Sequence, residues 1–301
     1  MKLVTYRSIN GDRCGLLHRH SVVDSLQVAR MAGWSDVECA DIRTNRNLLQ
    51  LPTARLHALQ QTVQQNFEDL KKEGAVFSIS ETGLAAPIPD PQKIICIGLN
   101  FHDHAEEVGV KPPDAPIFFA KFPNSLIGAS DPIIPPRDTQ QVDYEAELAV
   151  VIGRRGRYIE TEDALSHVAG AMVINDVSAR DLQLANQLWT GGKAIDSFAP
   201  CGPSLVTIDE IEDLQNLWIQ TRVNGELLQD GNTASMIFPV PVLISFLSRI
   251  MTLEPGDIIA TGTPAGVGLS RNPQRFLNSG DRVEVEIESL GMTNNPVVPA
   301  A

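Results

Sequence analysis

Apolar and polar positions along the chain follow two different periods. From Pro52 to Glu73, Leu56, Leu59, Val63, Phe67 and Leu70 recur at steps of three and four, with Gln, Glu and Lys between them. That spacing predicts an amphipathic helix, with Pro52 in its first turn and Gly74 just past its end. Elsewhere short apolar runs bounded by turn residues predict strands. These are Lys2–Ser8, the segments around Leu16 and Val22 (with Asn10-Gly11 as a hairpin turn), Lys93–Gly98, and the run IFFAKF from Ile117. Val142–Val151, Ala171–Asp176 and Arg282–Ile287 follow, the last being the final strand expected. Val223–Glu226 marks a further hairpin, Gln229–Met236 reads as a polar loop, and Val240–Met251 as an apolar helix ending ahead of Pro255-Gly256. The proline-rich connector Pro87–Pro91 suggests a boundary, with a small domain over residues 1–90 and a larger one over 91–301.

Composition narrows the class. A chain of 301 residues with 43% hydrophobic and 20% charged residues has the profile of a soluble globular protein with a sizeable core. A net charge of −13 argues against a nucleic-acid or anionic-membrane surface, either of which needs a basic face. No run is long enough to span a membrane, and the opening MKLVTYRSINGDRCG lacks the apolar core of a signal peptide. Cys14, Cys39, Cys96 and Cys201 are far apart and form no CxxC pair. Structural zinc is therefore not expected, and a reduced cytoplasmic setting is.

The chemistry gathers in the larger domain. In VDYEAELAVV, Glu145 and Glu147 stand two residues apart in a segment that otherwise reads as buried strand. Such positions share a face roughly 6.5–7 Å apart, and two carboxylates there are costly to bury without a cation between them. An acidic edge strand is the ordinary reading of that spacing taken alone. Asp176 changes it, because it closes the buried-type run AMVIND and adds a third oxygen donor with no Cys or His beside it. Three carboxylates suit a hard cation, magnesium first, with manganese or calcium as alternatives. Upstream, His104 and Glu107 fall one helical turn apart, a spacing that poises an imidazole as a general base; His102 and Glu106 offer the same chemistry in another register. Lys193 lies in the Gly/Pro-rich GGKAIDSFAPCGP, expected as a loop whose position is functional. The glycines of IIATGTPAGVG match neither phosphate-binding motif, so backbone N–H groups and the Thr263 hydroxyl offered to a carboxylate are the better reading. His18, His20 and His57 are isolated and carry no ligand spacing.

Taken together, GLNFHDHAEE, VDYEAELAVVIG, INDVSARDLQ, the Lys193 loop ending CGP, RVNGELLQDGNT and GDIIATGTPAGVG resemble the fumarylacetoacetate hydrolase family, in consistent order from about Ile94 to Ile287. The N-terminal extension is similar to that of its longer bacterial members. The resemblance implies a mainly β fold with some α: a mixed β-roll catalytic domain, usually in a homodimer, after a small α+β N-terminal domain. It also implies Glu145, Glu147 and Asp176 as metal ligands, Lys193 as the lysine beside the metal, Arg180, Gln183 and Thr263 as substrate contacts, and His104 with Glu107 as the catalytic pair. The expected activity is magnesium-dependent hydrolytic C–C cleavage of an acylpyruvate or diketo acid through a stabilised enolate, His104 activating the water. Decarboxylation of oxaloacetate or keto–enol tautomerisation at the same site is the alternative. A catalytically idle binding protein is the reading from another class, and the intact set of Glu145, Glu147, Asp176 and Lys193 argues against it.

Overall fold

The computed structural model describes residues 1–300. The N-terminal segment forms β1 (Lys2–Ser8), β2 (Gly11–His18), β3 (Ser21–Asp24), the long helix α1 (Thr53–Lys72) and β4 (Val76–Ser78). Pro52 caps α1 and Gly74, at φ +74°, turns the chain just beyond it, where a left-handed residue costs a glycine nothing. Next come β5 (Ile94–Gly98), α2 (His102–Glu107), β6 (Ile117–Lys121), β7 (Ala146–Ile152) and β8 (Val168–Asn175). Two short helices, α3 (Arg180–Gln183) and α4 (Thr190–Lys193), lead to β9 (Ala199–Thr207). The chain ends with β10 (Trp218–Val223), β11 (Glu226–Asn232), α5 (Val240–Ile250), β12 (Ile258–Ala260), β13 (Arg282–Ile287) and β14 (Gly291–Pro296).

A mixed sheet of twelve strands has the main order β4-β3-β2-β1-β9-β8-β7-β12-β5-β6. β1 pairs antiparallel with β9 (Lys2↔Val206), so the strands before Pro87 continue the sheet that carries the larger domain. A second, antiparallel sheet of four strands has the order β11-β10-β13-β14. Its Ile219, Val283, Val285 and Ile287 pack on Leu148, Val150 and Val173 of the large sheet. On the opposite face Ala149, Val151, Met172 and Ile174 pack with Leu59, Val63 and Leu70 of α1. β7 is thus covered on both sides, which is why AELAVVI is apolar almost throughout rather than alternating.

Four local expectations need correction. The strand expected over Val142–Val151 is interrupted: Val142–Asp143 pairs with Ser178–Ala179, β7 starts at Ala146, and Tyr144 and Glu145 lie in the break. Side chains replace the ladder there, with Glu145 N donating to Asn175 Oδ1 (3.0 Å) and Ala146 N to Gln229 Oε1 (2.9 Å). Gln229–Met236 is no simple loop, since β11 runs to Asn232 before a 3₁₀ turn at Thr233–Ser235. Lys193 closes the helix α4 rather than sitting in an irregular loop. Finally, Arg282–Ile287 is followed by β14, paired along its length to β13 (Ile287↔Gly291 to Arg282↔Pro296).

Candidate metal centre and acid–base pair

The break before β7, the first residues of β7 and the end of β8 bring Glu145, Glu147 and Asp176 together. One carboxylate oxygen from each lies within 4.8 Å of the other two, and all three residues are buried. The cationic groups around them are unevenly shared. Lys193 Nζ sits 2.7 Å from Glu145 Oε2 and 2.8 Å from Asp176 Oδ2. Arg180 Nη1 holds Glu145 Oε1 at 2.7 Å. Lys121, at the end of β6 and fully buried, pairs with Asp176 Oδ1 and donates to Val177 O at 2.9 Å. Glu147 receives the backbone N–H of Gly262 at 2.9 Å, and no Lys or Arg pairs with it among the described residues.

The electrostatics follow this distribution. Burial pushes the Glu145 carboxyl up, but Lys193 and Arg180 outweigh it and hold it below the usual range. For Glu147, burial and the charges of Asp176 and Glu145 act in one direction and raise the carboxyl well above its ordinary value. Burial pulls Lys193 down, yet Asp176 and Glu145 lift it to about 12, so it stays charged. A buried cluster made only of oxygen donors, one of them a carboxyl with no cationic partner, fits a hard divalent cation. Glu145, Glu147 and Asp176 would hold it.

Asp143, which the sequence did not single out, is a clamp rather than a ligand. It accepts from Arg180 Nε (2.8 Å) and from the N–H groups of Gly268 (2.7 Å) and Leu269 (2.9 Å). Arg180 Nη1 also donates to Gln183 Oε1 (3.0 Å), so the amide of Gln183 is oriented by the guanidinium. Thr263 Oγ1 accepts from Gln229 Nε2 at 2.8 Å. The glycine loop spends its N–H groups on this protein's own carboxylates: Gly262 on Glu147, Gly266 on Glu107 (2.8 Å) and Gly268 on Asp143.

Across the cavity, α2 carries the second element. His104 Nδ1 lies 3.1 Å from Glu107 Oε2, with His104 buried, while His102 and Glu106 are exposed. Of the two registers open in the sequence, the structure pairs His104 with Glu107, and His104 reaches the cavity. The other Glu107 oxygen holds Gly266 N, and Arg271 Nε (3.2 Å) and Tyr144 OH (3.1 Å) both donate to Gly266 O. Glu145, Glu147, Arg180, Gln183, Lys193, His104 and Thr263 all line one cavity of about 220 Å³. The structure thus brings seven of the residues singled out in the sequence to one cavity, holds Asp176 and Glu107 behind it through Lys193 and His104, and adds Lys121 and Asp143. Both are charges at the ends of apolar strands, and only burial distinguishes them from surface residues.

A mixed-sheet protein with a buried carboxylate triad facing an imidazole–carboxylate pair has the layout of a metal-dependent enzyme that acts on a small molecule. The comparisons specify the family. The model for the fumarylacetoacetate (FAA) hydrolase C-terminal family matches residues 93–298. An oxaloacetate tautomerase of Xenopus laevis, described as mitochondrial, is 51% identical over 74% of this chain and 70% of its own length. The fumarylacetoacetate hydrolase of the psychrophilic Exiguobacterium antarcticum superposes with a TM-score of 0.79 at 34% identity, covering 100% of both chains. The maleylpyruvate hydrolase of Sphingobium sp. SYK-6, solved with manganese(II) and pyruvate, gives a TM-score of 0.78 at 29% identity, again over 100% of both. The chain belongs to the fumarylacetoacetate hydrolase family and is an enzyme of that family.

Proposed function

We propose that this protein is a divalent-cation-dependent keto–enol tautomerase of a small 2-oxo acid, with oxaloacetate as the first candidate. The observation that carries the reading is the 51% identity, over 225 residues, to a protein named an oxaloacetate tautomerase. Hydrolytic cleavage, the leading expectation from the sequence, has less support, because the hydrolases among the solved structures are more distant, at 34% and 29% identity. The proposed ion is magnesium, with manganese as substitute; a homodimer in the cytoplasm is the assembly and setting that go with it.

The residues suit proton transfer. Glu107 accepts from His104 Nδ1, which fixes the ring and leaves Nε2 as the basic nitrogen. His104 Nε2 takes a proton from C3 of the keto acid and returns it to the 2-oxo oxygen to give the enol; in enol decay the same nitrogen takes the enol O–H proton and delivers it to C3, so that one proton moves and none is lost. Arg180, Gln183 and Thr263 orient the substrate's oxygens, while Lys193 and Arg180 keep Glu145 ionised. When bound, a divalent cation supplies positive charge against the three carboxylates and against the oxygen charge that develops on enolisation. No water enters this reaction, so the buried pair needs only to shuttle a proton.

The test follows the ultraviolet absorbance of oxaloacetate enol with Mg²⁺, alongside pyruvate release from oxaloacetate and from acylpyruvates. Accelerated enol decay without pyruvate, slowed by roughly 10²–10⁴ in His104→Ala, is the expected result. Pyruvate release from an acylpyruvate, with the oxaloacetate enol decaying at the buffer rate, would overturn the proposal in favour of hydrolysis.

A further inference from the structure

The cavity is lined by polar and by apolar side chains, and Trp189 is the largest of the apolar ones. Lys193 Nζ lies 5.0 Å from the centroid of the Phe119 ring. Phe119 in turn meets Trp189 edge to face, with centroids 5.6 Å apart and planes at 66°. The Trp189 ring then rests on Gly98, the last residue of β5: a methyl group there would sit 3.0 Å from Cη2 and closer still to Cζ3. Gly98 is therefore the seat of the indole. Any larger residue would push the ring away.

Trp189 comes from the connection between α3 and α4, which also contributes Leu184 to the cavity lining. Leu184 and Leu188 are 61% and 76% exposed, and residues 184–188 are all exposed, whereas Trp189 is half-buried. Within this connection Trp189 is the largest side chain on the cavity wall, beside Phe119 and Leu184. The cavity's volume, about 220 Å³, falls below the roughly 300–1,000 Å³ typical of small-molecule sites. A space of that size suits a short 2-oxo acid and leaves little room for a bulky substituent on C3.

We propose that Trp189, seated on Gly98, is the specificity-determining residue that limits the substrate to short 2-oxo acids and excludes those with a bulky group on C3. The choice of assay substrates rests on the tautomerase reading. The limit itself concerns the cavity and is measurable without turnover.

The test compares oxaloacetate with phenylpyruvate, whose C3 carries a ring, in the Mg²⁺-loaded wild type, Trp189→Phe and Trp189→Ala. The readout is the ratio of kcat/KM for enol decay, phenylpyruvate over oxaloacetate. Even one methylene in an apolar pocket changes discrimination roughly 10–200-fold, so Trp189→Ala should raise the ratio at least tenfold, with Trp189→Phe in between. An unchanged ratio in both variants overturns the proposal. Should Trp189→Ala fail to fold in a melting experiment, Trp189→Phe and Gly98→Ala, which displaces the ring, decide it by the same ratio. Calorimetric titration with oxalate and with phenylpyruvate separates the two readings. If the wild type does not tautomerise oxaloacetate, that function falls; the size limit still stands if truncation of Trp189 raises phenylpyruvate affinity relative to oxalate, and falls if it does not.

Discussion

Replacing Glu147 by Gln tests what the buried cluster is for, because it removes one charge while keeping shape and a carbonyl oxygen for Gly262 N. Unit charges within 4.8 Å of each other repel by about 3–4 kcal/mol at an effective dielectric constant near 20. Glu147 faces two such neighbours, Glu145 and Asp176, and Lys193 offsets part of the repulsion. The folded protein without metal therefore holds this carboxyl protonated to higher pH than the unfolded chain does. As pH rises past the usual carboxylate range, the unfolded chain gives up its proton first, so the metal-free fold loses stability from there upward. Glu147→Gln cannot titrate and escapes that loss. With EDTA the variant should match wild type near pH 4 and exceed it at pH 8 by about 1–3 kcal/mol, taking the repulsion as partly relieved by protonation. For a chain of this length that is roughly 2–6 °C in melting midpoint. Magnesium reverses the ranking: wild type gains stability by binding, while the variant loses affinity by more than the roughly 10–100-fold that an outer contact costs. The measurement is a melting curve at the two pH values with EDTA or Mg²⁺. A variant that melts below wild type at pH 8 in EDTA, or that Mg²⁺ raises as much as wild type, would refute the reasoning.

Two further predictions concern charges outside the triad. Lys121→Met strips Asp176 of one of its two cationic partners inside the fold, and should cost about 3 kcal/mol in urea unfolding of the metal-free protein. Mg²⁺ should restore part of that loss, and a variant as stable as wild type in EDTA would show that Lys121 does not balance the cluster. Asp131→Asn breaks the pair between Arg7 on β1 and the loop at Asp131. Burial pushes the Asp131 carboxyl up, but the Arg7 guanidinium and the Gly128 N–H hold it below the ordinary range. A depressed acid stabilises the fold above its unfolded pKa and loses that contribution as pH falls through the folded value. Because the Arg7 side chain is 47% exposed, the contribution at pH 7 should be only about 0.5–1 kcal/mol. The gap between wild type and Asp131→Asn should shrink below pH 4, and a gap constant from pH 7 to pH 3 would exclude the pair as its source.

What the sequence made legible, and what it did not, divides along physical lines. Glu145, Glu147 and Asp176 were readable because carboxylates inside apolar runs conflict with their surroundings, and a shared cation resolves that conflict. α1 and α5 were readable because local periodicity decides a helix. β14 was not, since GMTNNP has the composition of a turn. It is a strand because β13 offers a partner and because buried Thr293 and Asn295 find their place there, Asn295 Nδ2 donating to Gly128 O (3.1 Å) and Asp131 O (2.8 Å). Long-range partners have no local signature. Lys121 failed for the same reason: its value depends on Asp176, 55 residues later. The break at Tyr144–Glu145 needs the side chains of Asn175 and Gln229 to complete it. Nothing in VDYEAELAVV announces them.

The balance of charge in the finished site then explains why it should carry a cation and take an acid. Four buried carboxylates, Asp143, Glu145, Glu147 and Asp176, face three buried cations, Lys121, Arg180 and Lys193. The three cations are committed to the other carboxylates, and Glu147 is left with one backbone N–H. Protonating Glu147 settles the balance without metal. Adding a divalent cation to the ionised cluster instead leaves these seven side chains and the ion with one positive charge in excess, which a substrate carboxylate can offset. That arithmetic favours a 2-oxo acid over a neutral ketone as the partner of the cavity. It also assigns a distinct task to the protein's own cations: they hold Glu145 and Asp176 in place beside each other, so that a metal meets two carboxylates already paired within the fold and a third, Glu147, whose carboxyl burial and like charges push well above its ordinary value.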